Sequence, residues 1–131
     1  MIGLDTNVFV RYIAQDDAIQ SANSTQLIES LSAENPGFIT LVSIVELVWI
    51  MQGCYKATKE ECVAILQTLI HTREILLENA EIIVMATKQY SNSTADFAHC
   101  LIERSAHYAK CTCTMTFDSN AAKSAGMQLI E

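Results

Sequence analysis

The sequence is poor in basic residues, and it lacks any long apolar run. It has 131 residues with 8 Lys or Arg against 15 Asp or Glu, which gives a net charge of −7. So acidic a chain is unsuited to holding nucleic acid by bulk electrostatics, although carboxylates that bind divalent cations reverse the local charge and leave a nucleic-acid substrate open. No apolar stretch approaches the roughly 18 residues of a membrane helix, and the start "MIGLDTN" has no basic segment typical of a signal peptide. We therefore expect a cytoplasmic protein that does not enter a membrane.

Cysteine is present but lacks a pairing pattern. The 5 cysteines are an odd number, and no two of them form a Cys-x-x-Cys pair. This pattern predicts reduced, buried thiols rather than a disulfide framework. His99 and His107 lie among three of these cysteines, but on one continuous helix they would be about 12 Å apart along the axis. A structural zinc site is therefore not expected.

Segments that would separate domains are missing as well. There are no repeats or low-complexity tracts, and the only Pro-Gly pair is Pro36-Gly37. The length fits one domain over residues 1–131, which can bury roughly two-thirds of its unfolded surface. Half of the residues are hydrophobic, which suffices for a core without disulfides.

Short apolar segments alternate with helical patterns along the chain, which predicts the α/β class. We expect a parallel sheet of about four to five strands that is flanked by helices on both faces. Ser-x-x-Glu and Thr-x-x-Glu capping boxes open two of the helices, with Ser43 and Glu46 in one and Thr58 and Glu61 in the other. The second helix carries an apolar side formed by Ala22, Leu27, Ile28 and Leu31. The predicted strands are 1–4, 37–40, 74–77, 111–117 and an edge strand at 127–131, and the predicted helices are 7–14, 18–32, 43–52, 58–71, 80–90, 94–109 and 119–125.

Four acidic residues are predicted at one edge of this sheet. Asp5 follows the first strand and Asp118 the fourth, and the carboxyl ends of parallel strands form sites at one edge. Glu46 lies in the first turn of the helix after the second strand, and Asp96 in the first turn of the helix before the fourth. Each acid alone also suits a helix cap or the helix dipole. Four acids close together repel one another without cations, so the sequence predicts a metal site.

Polar side chains near these acids add oxygen ligands. Thr6 and Asn7 stand beside the first acid, Ser43 precedes the second, and Thr116 precedes the last. Oxygen ligands suit Mg²⁺ or Mn²⁺, and such a site activates water for displacement at phosphorus. Arg11, one helical turn beyond Asn7, is a candidate contact for substrate phosphate, with a solvated arginine as the simpler interpretation. Gly-x-Gly-x-x-Gly and Walker motifs are absent, which disfavours nucleotide-binding functions.

From end to end the sequence resembles the PIN-domain family, and in particular its VapC-type toxins. The resemblance is carried by "LDTNVFVRY", by "SIVE", by "ADFAHCLI" and by "TFD". It implies a Rossmann-like PIN fold, a Mg²⁺- or Mn²⁺-dependent ribonuclease, a homodimer, and neutralisation by a cognate antitoxin encoded next door. At the matching positions it implies that Asp5, Glu46 and Asp118 are site acids and that Thr116 is the small hydroxyl residue before the last of them.

One position departs from the family pattern. Related toxins commonly have Asp-Phe-Ala-Asp where this chain has Asp96-Phe97-Ala98-His99, and the second Asp is the one most consistently assigned to the metal. On a helix, positions 96 and 99 share a face. Three outcomes are open: Asp96 takes over the role, His99 binds a softer ion such as Mn²⁺, or the site has lost activity.

The leading hypothesis is a metal-dependent endoribonuclease, the toxin of a type II toxin–antitoxin pair. Its catalytic and metal-binding residues would be Asp5, Glu46, Asp96 and Asp118, and metal-activated water would hydrolyse RNA phosphodiester bonds. The alternative is a catalytically weakened PIN-fold binding module that meets operator DNA only through its antitoxin. A phosphatase of the haloacid dehalogenase type is less favoured, because Asn7 stands where its Asp-x-Asp motif needs a second acid.

One helix carries large side chains that suit a protein interface. We expect the helix at 43–52, with Trp49 and Met51, to pack against a second copy of the chain or against the antitoxin. Burial of these side chains in the core is the alternative.

Overall fold

In a computed structural model that describes residues 1–131, seven helices alternate with five short strands. All strand pairs are parallel, and the strands form one sheet of three and one sheet of two. The α/β class and the parallel strands predicted from the sequence are thereby confirmed. The chain divides into two compact units, residues 1–78 and residues 79–131. None of the helices combines the length and apolar character needed to cross a membrane.

The first unit contains the three-stranded sheet and four helices. The sheet has the order β1-β2-β3, with Ile2 opposite Gly37 and Gly37 opposite Ile75. Helices between consecutive strands are what parallel pairing requires, because each strand must be re-entered from the same end. The elements are β1 (Ile2–Gly3), α1 (Thr6–Ala14), α2 (Ala18–Glu29), β2 (Gly37–Ile39), α3 (Leu41–Cys54), α4 (Lys59–Ile70) and β3 (Ile75–Leu77).

Aliphatic and aromatic side chains from these helices and strands form the buried part of the first unit. Phe9, Ile39, Ile44, Leu47 and Leu66 are each at most 2% exposed. Two leucine side chains pack closely over Gly37: a Cβ there would lie 2.5 Å from Leu4 Cδ1 and 3.0 Å from Leu31 Cδ1, so a larger residue would force these side chains to shift. The absence of a side chain at Gly37 therefore lets Leu4 and Leu31 pack against this part of β2.

The second unit contains the two-stranded sheet and three helices. Tyr90 and Phe97 are almost fully buried and meet edge to face, with ring centroids 5.6 Å apart and planes at 76°. In the sheet, Met115 pairs with Gln128 and Thr116 with Leu129, as expected for an edge strand near the end of the sequence. The elements are α5 (Ala80–Ser91), α6 (Phe97–Tyr108), β4 (Met115–Thr116), α7 (Ser119–Ser124) and β5 (Gln128–Leu129).

Several local predictions were wrong in detail. Ala22 is exposed in α2, whose buried residues are Ser21 and Ser24. The fourth strand has only two residues instead of the seven of "CTCTMTF", and Cys111 and Cys113 before it are exposed. None of the five cysteines forms a disulfide, as predicted, but only Cys62 and Cys100 are buried.

Candidate active site

Three of the four predicted acids are N-caps of helices. Asp5 Oδ1 accepts a hydrogen bond from the Thr6 amide of α1 at 2.8 Å. Asp96 Oδ1 accepts one from the His99 amide of α6 at 2.7 Å, and Asp118 Oδ1 accepts one from the Ala121 amide of α7 at 2.9 Å. Asp96 therefore lies just before its helix and not in the first turn, where the sequence had placed it. Each of the three acids therefore has the structural role of a helix cap, which the sequence analysis gave as the alternative. All three residues are nonetheless exposed.

Thr6 connects the two acids of the first unit. Its amide donates to Asp5 Oδ1, and its hydroxyl donates to Glu46 Oε1 at 2.7 Å. Thr6 itself is only 4% exposed, so both donors are held in a fixed place. Each carboxylate uses one oxygen in these bonds, which leaves Asp5 Oδ2 and Glu46 Oε2 for other ligands. The first unit thus presents two acids linked through Thr6, one at the N-cap of α1 and one in the second turn of α3, rather than in the first turn as predicted.

The capping box predicted at Ser43 and Glu46 was wrong. Helix α3 begins earlier, and Thr40 is its N-cap, with Oγ1 accepting from the Ser43 amide at 3.2 Å. Ser43 is 8% exposed and lies within hydrogen-bonding distance of Thr40 Oγ1, at 3.3 Å. Because Thr40 takes the cap, Glu46 is released from that role and its carboxylate reaches Thr6 instead.

The two acids of the second unit are carried by segments that are hydrogen-bonded to each other. Thr94, two residues before Asp96, contacts α7 through three bonds, two to Asn120 near its start and one to Ser124 at its end. The Asn120 amide group donates to Thr94 O at 3.2 Å, and the Thr94 hydroxyl lies 3.2 Å from Asn120 Oδ1 and 2.7 Å from Ser124 Oγ. Since Asn120 follows Asp118 by two residues, these bonds make the N-termini of α6 and α7 neighbours.

Thr116 also orients the last acid. Its hydroxyl accepts a hydrogen bond from the Asp118 amide at 3.0 Å, which fixes the turn between β4 and α7. The supporting role of Thr116 at a metal site stays a prediction. Asn7, by contrast, is exposed in the first turn of α1.

His99 contacts Asp96 through both its backbone and its ring. Its Nδ1 lies 3.0 Å from Asp96 Oδ2, while its amide donates to Asp96 Oδ1. Both carboxylate oxygens of Asp96 are therefore engaged by one residue. An Nδ1–H that donates to the carboxylate leaves Nε2 as the ring's acceptor. His99 and Asp96 form one unit of polar chemistry, as their positions on one helix face predicted.

Arg11 is occupied by its own neighbours in the first unit. Its Nε donates to Gln20 Oε1 at 2.8 Å, and its Nη1 lies 3.2 Å from Asp16 Oδ1. Asp16 also accepts a hydrogen bond from the Tyr55 hydroxyl at 2.7 Å, and this bond, with a smaller contribution from Arg11, lowers the pKa of the Asp16 carboxyl. Contact between Arg11 and a substrate phosphate stays a prediction.

Sequence reasoning overlooked one acid at the end of a strand. Glu78 directly follows β3, and its Oε1 accepts a hydrogen bond from the Leu41 amide, the first of α3, at 2.8 Å. A charge after the apolar run "EILL" was the available sign, the same sign that drew attention to Asp5. Glu78 helps to hold the start of the helix that carries Glu46.

The donor chemistry fits a hard divalent cation. Exposed carboxylates with an unused oxygen at Asp5, Glu46 and Asp118, supported by hydroxyl groups, are the ligands that Mg²⁺ and Mn²⁺ take in proteins. Asp5 and Glu46 belong to the first unit, and Asp96 and Asp118 belong to the second. The structure contains no group of three or more His, Cys, Asp or Glu side chains placed to hold a metal ion. The assembly of all four acids in one centre stays a prediction.

These features define an α/β protein that has parallel strands and acids that cap the N-termini of helices. The PIN domain family matches residues 2–126. The chain therefore belongs to the PIN domain family, whose members are generally nucleases that use divalent metal ions. No curated protein matches the sequence.

Proposed function

We propose that this chain is a metal-dependent endoribonuclease and the toxin of a type II toxin–antitoxin pair of the VapC kind. The observation that carries the proposal is the pair Asp5 and Glu46, which a single buried threonine holds side by side. Two fixed carboxylates with free oxygens are costly to place together unless a cation binds them. Membership of a family of nucleases gives the chemistry for which such a pair is suited.

In this proposal Asp5, Glu46, Asp96 and Asp118 hold Mg²⁺ or Mn²⁺. A divalent ion bound there would lower the pKa of a water molecule and stabilise charge on the scissile phosphate. Thr6 and Thr116 fix the carboxylates and the turn that carry this ion. The three cap residues keep their carboxylates at helix N-termini, where the helix dipole favours an anion.

Replacement of Asp5 by Asn tests the proposal. Asn is as good an N-cap as Asp, so Asp5→Asn should fold normally while losing the charge that binds the cation. We expect RNA cleavage with Mg²⁺ or Mn²⁺ to disappear and an overexpressing host to grow again. Asp17→Asn is the matched control, because Asp17 caps α2 with the same chemistry and lies outside the proposed site. Full activity in Asp5→Asn would contradict the metal-site proposal.

The second candidate is a binding module with a weakened nuclease site. It is favoured by the Asp96–His99 pair, in which the ring and the amide of His99 take up both oxygens of one of the four acids. If the wild type cleaves no RNA with any divalent metal but binds a partner protein, this candidate replaces the first. Action on operator DNA would then occur only through an antitoxin.

An exposed aromatic residue supports the proposed protein partners. Trp49 on α3 is 75% exposed, whereas Met51 on the same helix is 6% exposed. Tryptophan is enriched in protein interfaces, where it supplies a large contact area. We propose that the Trp49 side of α3 meets the antitoxin or a second copy of the chain. If Trp49→Ala no longer co-purifies with the antitoxin, the antitoxin is the partner. If Trp49→Ala no longer forms a dimer, the partner is a second copy of the chain.

A further inference from the structure

A cavity of about 400 Å³ lies beside helix α5, in the second unit. Four of its lining residues are Met85, Lys88, Gln89 and Asn92, whose spacing places them on one face of the helix. Arg104 of α6 completes the lining. The cavity lies within the range of roughly 300–1,000 Å³ that is usual for small-molecule sites. Its wall combines two cations, two amides and one flexible apolar side chain.

The guanidinium of Arg104 is held in place by its neighbour. Its Nε and Nη2 donate to the two oxygens of Glu103 at 2.6 and 2.9 Å, and Glu103 is only 8% exposed. The hydrogen bonds from Arg104 to this carboxylate raise the pKa of Arg104, so the group stays charged. These two hydrogen bonds leave Nη1 of Arg104 unused. With Glu103 balancing Arg104, the exposed ammonium of Lys88 gives the cavity a surplus of about one positive charge, which matches a phosphodiester group.

Gln89 supplies the second observation. Its Oε1 is the one buried side-chain nitrogen or oxygen in the structure that has no hydrogen-bond partner. A buried acceptor without a donor is destabilising, and native structures keep few of them. A phosphate group would satisfy the cations but carries no donor for this oxygen. A nucleobase with an N–H group would supply that donor.

We propose that this cavity binds one nucleotide of single-stranded RNA, with its phosphodiester between Lys88 and Arg104. Gln89 Oε1 is buried in the free protein, and it accepts a base N–H when the Gln89 side chain turns towards the bound nucleotide. Met85 gives the base an apolar surface, and Asn92 adds a donor and an acceptor at the rim. The proposal rests on the proposed ribonuclease function, because it names a contact for the same substrate. It assigns substrate recognition to residues of α5 and α6 that are different from the acids proposed to hold the cation.

Binding of a labelled single-stranded RNA oligonucleotide, measured by fluorescence anisotropy in EDTA, separates recognition from cleavage. A lost phosphate contact should reduce the slope of log K against log salt by about 0.7. We expect Lys88→Ala to show this reduced slope and a dissociation constant raised about threefold or more. Arg73→Ala, which removes one exposed cation from the first unit, is the matched control and should behave as the wild type. Equal behaviour of Lys88→Ala and Arg73→Ala would overturn the subsite.

A second variant tests the role of Gln89. Gln89→Met keeps the length of the side chain and removes the unpaired oxygen, so it should raise the melting midpoint by about 3 °C. The same variant should bind RNA more weakly with an unchanged salt slope. Wild-type affinity in Gln89→Met would remove the base contact from the proposal.

Competition and cleavage assays separate the remaining outcomes. A nucleoside monophosphate should displace the labelled RNA at concentrations where inorganic phosphate does not, and equal displacement by both would reduce the site to a phosphate site and overturn the nucleotide proposal. If the wild type cleaves RNA, and the variants at Lys88 and Gln89 bind RNA as well as the wild type does, only the subsite proposal is refuted. If the wild type binds RNA through these residues but does not cleave it, the subsite proposal stands and the proposed nuclease function is refuted.

Discussion

Removal of the Thr6 hydroxyl should uncouple the two acids of the first unit. Thr6→Val preserves the shape of the side chain but removes the donor to Glu46 Oε1, a bond of 2.7 Å between residues 40 positions apart in sequence. Hydrogen bonds to charged groups contribute about 1.5–3 kcal/mol. Because Glu46 is exposed and water replaces the lost donor, we expect a smaller loss of about 1 kcal/mol in the free energy of unfolding. For a chain of this size the melting midpoint should fall by about 3–5 °C.

The same substitution should slow catalysis more than it affects stability. In the proposed nuclease, a Glu46 carboxylate that is free to rotate would no longer hold the cation in a fixed position. A loss of about 1.4 kcal/mol in transition-state stabilisation would be a tenfold loss in rate. Thermal melts and RNA cleavage rates measure the two effects separately. Thr6→Ser retains the hydroxyl and is the matched control.

A double-mutant cycle identifies the interaction responsible. Thr6→Val and Glu46→Ala should show a coupling free energy of about 1 kcal/mol, because each removes one partner of the same bond. If Thr6→Val melts and cleaves like Thr6→Ser, or if the two changes are additive, the bridging role of Thr6 is refuted.

Three further predictions follow from local contacts. His99→Asp should raise RNA cleavage with Mg²⁺, because magnesium prefers oxygen ligands. Cleavage rates in Mg²⁺ and in Mn²⁺ measure this effect. Unchanged activity in both His99→Asp and His99→Ala would show that His99 is a bystander. Tyr55→Phe should raise the pKa of Asp16 towards its ordinary value of 3.8, as followed by NMR titration. Because the folded pKa is depressed, the stability from this contact is present above that value and is lost as the pH falls through the folded pKa, so wild type and variant should converge in acid. Thr58→Ala should destabilise the protein by about 1 kcal/mol by breaking the capping box with Glu61, whereas Thr58→Ser should not change the melting midpoint.

Local sequence patterns predicted the elements better than the contacts between them. The capping box of Thr58 and Glu61 forms as predicted, with reciprocal bonds of 2.9 and 3.1 Å, because both partners lie within one helical turn. The identical spacing at Ser43 failed, because Thr40 lies in extended backbone at the true start of the helix and takes the cap. A three-residue pattern does not show which hydroxyl will begin the helix.

The candidate site was predictable in its residue types and not in its bonds. Asp5 and Asp118 stand where acids after short apolar runs were expected, at the N-termini of α1 and α7. The bond between Thr6 and Glu46 depends on the pairing of β1 with β2, which no local pattern encodes. Strand length failed for the same reason, since only the two residues of β4 that find a partner in β5 become strand. Propensity for a strand depends strongly on such context.

The capping role of Asp5, Asp96 and Asp118 has a consequence for how the proposed activity could be lost. Asparagine is an equally good cap, so an Asp-to-Asn change removes a charge without removing the hydrogen bond that starts the helix. Such a mutation can therefore remove the proposed chemistry without being selected against, because the fold stays stable. A silent chain would keep the exposed Trp49. Under the proposed function, it would therefore compete with active copies for the same protein partner.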